Sequence, residues 1–170
     1  MIRELTAGDA EHVRWALYAA LAWDPARQLP PPELTLAHPE ALRYHADWGR
    51  RGDLGVVVAE NGEVIGVAYC RLFTEDDHGH GYLDDATPEI AVAVRDGDRG
   101  RGIGRRLLAE LARVARNAGF ARLSLSVDED NQAIRLYERL GYREVSRDDD
   151  GVRMVLELDS AERPTSSAQQ

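Results

Sequence analysis

Residues 90–119 constrain the fold most, because their apolar pattern changes from that of a strand to that of a helix across a short glycine-rich turn. Residues 90–94 are a continuous run of β-branched and small apolar side chains, which predicts a strand buried on both faces. After the turn, apolar residues recur at helical spacing until Gly119 ends the helix. The members of this apolar face are Leu107, Leu108, Leu111, Val114 and Ala115. A buried strand followed by a turn and an amphipathic helix predicts an α/β fold.

The turn itself reads Arg99-Gly100-Arg101-Gly102-Ile103-Gly104. A helix start presents unpaired N–H groups and the positive end of the helix dipole, and glycines let a bulky pyrophosphate approach the backbone. Residues 95–122 also carry eight arginines against three acidic residues, in a chain whose net charge is −9. These features favour an anionic ligand. The alternative is a solvated basic turn before an ordinary helix.

Two common nucleotide-binding loops do not fit the spacing of this turn. A dinucleotide-binding fingerprint requires a glycine three residues after Gly102, where the chain has Arg105. A Walker loop requires Gly-Lys-Ser or Gly-Lys-Thr, and the chain contains no lysine. Both loops are therefore excluded, although a nucleotide-binding enzyme of another kind stays open as a reading of the glycines.

The rest of the chain adds strands and helices around this segment. The predicted order is a strand over 2–5, a helix including 12–17, a proline-broken loop over 24–38, a helix over 40–48, a hairpin over 56–69, a polar excursion over 73–88, a strand over 122–127, a helix ending at 140 and a closing hairpin over 142–158. Asn61-Gly62 predicts a type I′ turn in the first hairpin, and Asp150-Gly151 is predicted to turn the second.

Composition limits the class of protein. A chain of 170 residues is typical of one domain, predicted here over 1–159 with a disordered tail over 160–170. No apolar run approaches the roughly 20 residues that a membrane span needs. The acidic net charge argues against general nucleic-acid binding. The N-terminus lacks a secretory pattern and Cys70 is the one cysteine, which together predict a cytoplasmic protein.

Two motifs at matched spacing carry a family resemblance. Arg99, Gly102 and Gly104 match an Arg/Gln-x-x-Gly-x-Gly/Ala signature, and residues 131–142 look like an Asn-containing helix that ends in Tyr-x-x-x-Gly-Phe/Tyr. Together they resemble the GNAT superfamily of N-acetyltransferases, strongly over 89–143 and less so over 56–69. The resemblance implies a mixed, largely antiparallel central sheet of about six to seven strands flanked by helices, with a V-shaped splay between the two central strands.

The resemblance also implies acetyl-CoA as the cosubstrate and a set of binding residues. The strand Val92-Ala93-Val94 is expected to offer backbone groups to the pantetheine arm, and a bulge in this strand usually separates it from its neighbour. The backbone amides of Arg99, Gly100, Arg101, Gly102, Ile103 and Gly104 are expected to wrap the pyrophosphate. Asn131 is expected near the pantetheine end, although it lies six residues before Tyr137 where many relatives have seven.

Two residues are expected to transfer protons during direct acetyl transfer to a primary amine. Tyr137 stands where the resemblance places the general acid, and a phenol with a pKa of about 10 can protonate a leaving thiolate with a pKa of about 8.5. Glu89 is the candidate base, which requires a raised pKa or a water relay because an ordinary glutamate is a weak base. The alternatives are a packing role for Tyr137 and a solvated strand end for Glu89. The oxyanion donor is expected to be a backbone amide near Ala93 or Val94.

The acceptor amine belongs to a small molecule or a protein, and the sequence does not identify it. The loop 71–88 and Trp23, Asp24, Tyr44 and Trp48 are expected to recognise it, and the acidic residues of that loop would suit a cationic amine. His78 and His80 are better explained as solvated than as metal ligands, so no metal site is predicted. Residues 128–131 are interpreted as a helix cap. A non-catalytic acyl-CoA-binding or sensing module is the alternative function, and a homodimer stays open.

Overall fold

The structure is a computed structural model that describes residues 1–159. The predicted tail, residues 160–170, lies outside the described residues. The helices are α1 Ala10–Leu21, α2 Pro32–Ala37, α3 Pro39–His45, α4 Ile103–Asn117 and α5 Ala133–Arg139. The strands are β1 Ile2–Glu4, β2 Leu54–Glu60, β3 Glu63–Arg71, β4 Glu89–Val94, β5 Arg122–Val127, β6 Arg143–Asp148 and β7 Gly151–Glu157.

The seven strands form one sheet in the order β1-β2-β3-β4-β5-β7-β6. All neighbouring strands are antiparallel except β4 and β5, which are parallel. The expected mixed, largely antiparallel sheet with flanking helices is therefore confirmed.

The two central strands separate almost from their start. β4 and β5 share one register pair, Glu89 with Ser124, and the Ser124 N–H donates to the Pro88 carbonyl at 3.0 Å. Beyond that pair the strands diverge, which confirms the expected splay. The register of β4 against β3 is nevertheless continuous from Glu89 to Val94, so no bulge interrupts it. The register shifts in the described sheet lie at β2–β3 and β6–β7 instead.

The alternation of β4 side chains divides the core between the two faces of the sheet. Ile90, Val92 and Val94 pack with α4 and α5, in the cluster that contains the leucines of α4. Ala91 and Ala93 face α1, where they pack in the cluster that contains Val13 and Ala16. The small alanines let α1 lie close to the sheet beside the splay.

Local signals explain several boundaries. Thr6 and Asp9 form a capping box before α1, with the Thr6 N–H donating to Asp9 Oδ2 at 2.7 Å. Asn61 and Gly62 have φ angles of 52° and 81°, as the predicted type I′ turn requires. The predicted turn at Asn61-Gly62 is therefore confirmed.

Other boundaries correct the sequence analysis. The predicted loop over 24–38 contains α2, because Pro32 occupies the first helical turn, where a missing N–H costs nothing. The next helix begins at Pro39 and ends at His45 rather than spanning 40–48. The closing hairpin turns at 149–150, one residue early, because Asp148 pairs with Gly151.

A buried arginine fixes α3 to the sheet. Arg71, at the end of β3, is 1% exposed, and its Nε and Nη2 donate to the carboxylate of Asp53 at 2.9 and 2.8 Å. Its Nη1 donates to the carbonyls of Arg43 and Ala46 at 3.1 and 2.7 Å. The buried charge is thus fully paired, and it holds the C-terminal end of α3 beside the start of β4.

Candidate active site

A cleft of about 1220 Å³ occupies the splay. Its walls are β4 and β5, and it is closed at its ends by the glycine-rich turn before α4, the C-terminal part of α1 and the start of α5. A cavity of this size between central strands suits an extended ligand. Eleven of the twelve residues predicted from the sequence to bind the cofactor or to transfer protons line this cleft, and Arg101 is the exception.

The glycine-rich turn forms one end of the cleft. Gly100 and Gly102 have φ angles of 79° and 77°, a left-handed conformation that favours glycine, and Gly102 is the N-cap of α4. A Cβ at either position would meet nothing within 4 Å. The first turn of α4 carries no acidic side chain. Its N-terminal N–H groups therefore face open space in a field that favours an anion.

The arginines of the turn are not equivalent. Arg101 is not among the residues that line the cleft, because its guanidinium pairs with Asp98 at 2.6 Å and Glu60 at 2.9 Å. Asp98 also accepts from Arg95 Nε at 2.6 Å. The Arg101 side chain therefore braces the turn against the β2–β3 hairpin. Arg99 and Arg105 do line the cleft.

The backbone of β4 supplies a second set of polar groups. The Arg95 N–H donates to the Ile65 carbonyl at 2.8 Å, and antiparallel pairing alternates, so the polar groups of Ala93 point towards β3. Those of Val92 and Val94 point into the splay, where β5 no longer pairs with them. Of the expected oxyanion donors, Val94 and not Ala93 thus has its N–H directed at the cleft.

Asn131 and Asp128 lie on the wall that β5 and α5 form. The Asn131 Oδ1 accepts from the Ala133 N–H at 2.9 Å, so Asn131 caps the start of α5. Asp128 does not cap the helix with its side chain. Its Oδ2 accepts from Trp23 Nε1 at 2.6 Å and from Arg27 at 3.3 Å. The capping interpretation of 128–131 is therefore right for Asn131 and wrong for the Asp128 carboxylate.

Tyr137 lies on α5 and lines the same cleft. It is 8% exposed and packs edge-on against Tyr142, with ring centroids 5.7 Å apart. Burial raises the pKa of Tyr137 to about 12. The phenol consequently keeps its proton at neutral pH. Tyr137 therefore both packs against Tyr142 and lines the cleft.

Glu89 lies at the start of β4 and is 5% exposed, so the alternative of a solvated strand end is wrong. Tyr44 donates to Glu89 Oε2 at 2.6 Å and accepts from the His80 N–H at 3.2 Å. Burial raises the pKa of Glu89 to about 7, and the Tyr44 hydrogen bond works in the opposite direction. The raised pKa makes this carboxylate a stronger base than an ordinary glutamate.

Gly81 covers the buried carboxylate. A Cβ on Gly81 would lie 2.7 Å from Glu89 Cδ and 2.7 Å from the carbonyl carbon of Leu125. The loop between β3 and β4 therefore passes between Glu89 and β5 at a point where only a glycine fits. This close contact is one source of the desolvation that Glu89 experiences.

Several buried polar atoms around Glu89 have no partner among the described residues. They are Glu89 Oε1, Ser124 Oγ and Tyr69 Oη. Ser124 is the register partner of Glu89, and its side chain therefore lies on the same face of the sheet. Unpaired buried atoms of this kind require water or a substrate group as a partner.

The residues expected to recognise the acceptor divide into two groups. Trp23 and Tyr44 line the cleft. Trp48 does not, because it donates to the Thr6 carbonyl at 2.9 Å and packs edge-on against Tyr69. Asp24 holds a local turn by accepting from the Ala26 N–H at 2.9 Å.

The acidic side chains of the β3–β4 loop point elsewhere. None of Glu75, Asp76, Asp77, Asp84 and Asp85 is among the described residues that line the cleft. Asp77 pairs with Arg43 at 3.5 Å and Asp84 with Arg122 at 2.8 Å. The cleft receives carboxylates from Asp128, Asp130 and Asp150 instead, together with His80. His80 belongs to the loop 71–88 that was expected to recognise the acceptor. Asp150 was not predicted, because the β6–β7 turn approaches the cleft only in the folded chain.

The two histidines of that loop do not converge on a shared site. His78 stacks on Tyr82 with ring centroids 4.3 Å apart, whereas His80 lies 3.6 Å from Asp150. Within residues 1–159 no group of three or more His, Cys, Asp or Glu side chains is arranged to hold a metal ion. The helices in the same range are too short or too polar for any of them to cross a membrane.

The fold is shared with acetyltransferases of known structure. The structure of yncA from Salmonella typhimurium with its cofactor acetyl-CoA superposes with a TM-score of 0.65 and 25% identity, covering 98% of this chain and 98% of that chain. The family model described as Acetyltransferase (GNAT) family matches residues 17–142. The chain therefore belongs to the GNAT acetyltransferase family.

Two curated relatives are similar over shorter stretches. The [ribosomal protein bS18]-alanine N-acetyltransferase of Haemophilus influenzae is 34% identical over 92 residues, which is 54% of this chain and 56% of the relative. The mycothiol acetyltransferase of Parafrankia sp. is 32% identical over 129 residues, which is 65% of this chain and 40% of the relative. The matches thus span about half the length of these relatives.

Proposed function

We propose that this protein is an N-acetyltransferase that passes the acetyl group of acetyl-CoA directly to a primary amine. One observation carries the proposal. A single cleft brings together the glycine-rich helix start, the unpaired backbone groups of β4, the buried Glu89 and the protonated Tyr137. Family membership and a neighbour with bound acetyl-CoA support the same donor.

The donor half fits acetyl-CoA by its chemistry. The N–H groups at the start of α4 and the side chains of Arg99 and Arg105 suit a pyrophosphate. The polar groups of Val92 and Val94 suit the amides of a pantetheine arm, which can pair with β4 in place of β5. Acetyl-CoA supplies the activated acetyl group, and these residues orient its thioester in the splay.

The reaction needs a neutral amine, a polarised thioester carbonyl and a proton for the leaving thiolate. Glu89 accepts the proton that the amine loses as its nitrogen bonds to the carbonyl carbon. The N–H of Val92 or Val94 stabilises the charge on the carbonyl oxygen. When the carbon–sulfur bond breaks, Tyr137 gives its proton to the sulfur. Glu89 then releases its proton to solvent, and Tyr137 takes up a proton from solvent, which restores the starting protonation states.

The names of the curated relatives suggest which acceptor to test first. One of them acts on an alanine of a ribosomal protein, so the α-amine of a peptide that begins with alanine is the leading candidate. We further place the enzyme in the cytoplasm, where such acceptors are made. Analytical ultracentrifugation would show whether the protein is a monomer or a homodimer.

The test is an assay of thiol release from acetyl-CoA with a panel of primary amines. We expect turnover with at least one amine, and Tyr137→Phe to lower kcat by roughly 100-fold or more, because general acid catalysis typically contributes that much. Tyr142→Phe is the matched control, since that neighbouring phenol is buried without lining the cleft. Thermal protection by CoA without turnover would favour the non-catalytic module. Stronger protection by ATP or NAD than by CoA would contradict the proposal.

A further inference from the structure

One hydrogen-bonded contact joins the two walls of the cleft. The α1–α2 loop (residues 22–31) follows α1, which packs against β4 through Ala91 and Ala93. Asp128 directly follows β5, the other wall. Trp23 and Arg27 of the loop both donate to Asp128 Oδ2, at 2.6 and 3.3 Å. All three residues line the cleft. The contact therefore crosses the splay at the end where β4 and β5 lie furthest from their single register pair.

The loop is otherwise held only on its own side of the cleft. Tyr18 and Thr35 donate to the Pro30 carbonyl at 3.0 and 2.9 Å, and Asp24 stabilises a turn within the loop. Among the described residues, the hydrogen bonds that the loop makes across the splay therefore all go to Asp128. A short bond from a neutral indole to a carboxylate is among the stronger kinds of hydrogen bond.

We propose that Trp23 and Asp128 form a bridge that fixes the α1–α2 loop over the cleft and so positions the acceptor amine. The inference rests on the proposed acetyl transfer. Neither residue belongs to the glycine-rich turn or to β4, whose backbone groups form the donor half of the cleft. Asp128 lies next to the β6–β7 turn, where a Cβ on Gly151 would be 3.6 Å from the Asp128 nitrogen, and Asp150 of that turn lies 3.6 Å from His80. Loss of the bridge therefore weakens acceptor use and leaves acetyl-CoA binding intact. Trp23 and Asp128 are positioning residues, since neither is assigned a proton transfer.

The carboxylate of Asp128 has a competing role that the same experiment tests. An aspartate at the rim of a cleft can bind a cationic acceptor directly by charge. Asparagine keeps an oxygen that accepts the indole N–H but removes the charge. Asp128→Asn therefore preserves the bridge and abolishes direct charge recognition, whereas Asp128→Ala abolishes both.

The steady-state experiment compares Asp128→Asn, Asp128→Ala and Trp23→Phe with the full-length protein, using the best amine from the panel. We expect Asp128→Ala and Trp23→Phe to raise the KM for the amine by about tenfold, the effect of losing one charge-assisted hydrogen bond. The Kd for acetyl-CoA should change by less than about twofold. Asp128→Asn should restore most of the acceptor affinity. Glu129→Ala is the control, because Glu129 pairs with Arg147 outside the cleft.

A second readout follows the bridge without catalysis. The chain has three tryptophans, so Trp23→Phe identifies the Trp23 indole N–H signal in an amide correlation spectrum. We expect that proton to exchange slowly in wild type and in Asp128→Asn, and to exchange rapidly in Asp128→Ala. The same spectra report whether each variant is folded.

The outcomes are distinguishable. If Asp128→Asn raises the KM as much as Asp128→Ala while the indole signal is unchanged, the charge binds the acceptor and the bridge inference is wrong. If the acetyl-CoA Kd rises together with the KM, the contact belongs to the donor site and the inference is also wrong. Absence of turnover in wild type contradicts the proposed function itself. Unimpaired turnover in Asp128→Ala contradicts the bridge alone.

Discussion

The two halves of the cleft are built from different parts of the chain. The donor half consists mainly of backbone, namely the N-terminus of α4 and the polar groups of Val92 and Val94. The acceptor half consists of side chains from α1, α3, the β3–β4 loop, the first residue of β4, β5 and the β6–β7 turn. A backbone site depends on glycines at fixed spacing, whereas a side-chain site depends on how distant segments pack. The first can be shared by a whole family while the second differs between its members.

The largest effect should come from the acceptor half. Glu89→Gln removes the proposed base and keeps an oxygen that can accept from Tyr44, so we expect kcat/KM to fall by about 10²–10⁴-fold. The acetyl-CoA Kd should be nearly unchanged, which thiol release and calorimetry check together. Glu144→Gln, on the exposed strand β6, is the control. An equally large rise in the Kd for acetyl-CoA would contradict the division of the cleft into a donor half and an acceptor half.

The same substitution should stabilise the protein at alkaline pH. The pKa of Glu89 is raised from 4.5 to about 7, so between these values the folded state keeps a proton that the unfolded state releases. Stability therefore falls as pH rises through this window, and glutamine removes the dependence. We expect the free energy of unfolding of Glu89→Gln to exceed that of wild type at pH 8 by up to about 3 kcal/mol. Urea denaturation at pH 8 and pH 5 should show the difference shrinking at the lower pH.

A glycine substitution tests the donor half. Gly102 has a left-handed backbone with open space in front of it, so Gly102→Ala strains the turn by about 1 kcal/mol and places a methyl group where the ligand would approach. We expect the CoA Kd to rise about tenfold and the amine KM to stay near its original value. Gly97→Ala is the control, since Gly97 also faces open space but has no positive φ. A change in amine KM alone would contradict the comparison.

Removal of the phenol that contacts the base should shift a pH profile. The Tyr44 hydrogen bond lowers the pKa of Glu89, so Tyr44→Phe should raise it further above about 7. We expect the acidic limb of kcat/KM to move up by about one pH unit, the equivalent of one hydrogen bond to a charged group. Tyr82→Phe is the control, because that phenol pairs with Asp85 instead. An unmoved limb would mean that Glu89 is not the titrating base.

The smallest effect concerns an unpaired hydroxyl. Ser124 Oγ is buried without a partner among the described residues, so Ser124→Ala should leave the free energy of unfolding unchanged or raise it by up to about 1 kcal/mol. A loss of stability would show that water occupies the space beside Glu89. Ser146→Ala, on an exposed strand, gives the baseline in the same urea titration.

The sequence allowed the donor half to be predicted because its signals are local. The turn before α4, the strand β4 and the helix with Tyr137 follow one another within a short stretch, and their spacing has a direct geometric meaning. Even there, the ion pair between Arg101 and Glu60 could not be predicted, since the two residues are distant in sequence. The acceptor half is less predictable. Tyr44, His80 and Glu89 meet where Arg71 holds α3 against the sheet, and no periodicity signals such a contact.

The contact at Gly81 has a practical meaning for redesign of this protein. The β3–β4 segment looks like a region where sequence and length can be randomised to obtain new acceptor preferences. Libraries that vary it should nevertheless keep glycine at position 81, because any side chain there would collide with the backbone of β5 and displace Glu89. Diversity introduced on either side of that residue alters the pocket, while diversity at the residue itself yields misassembled variants.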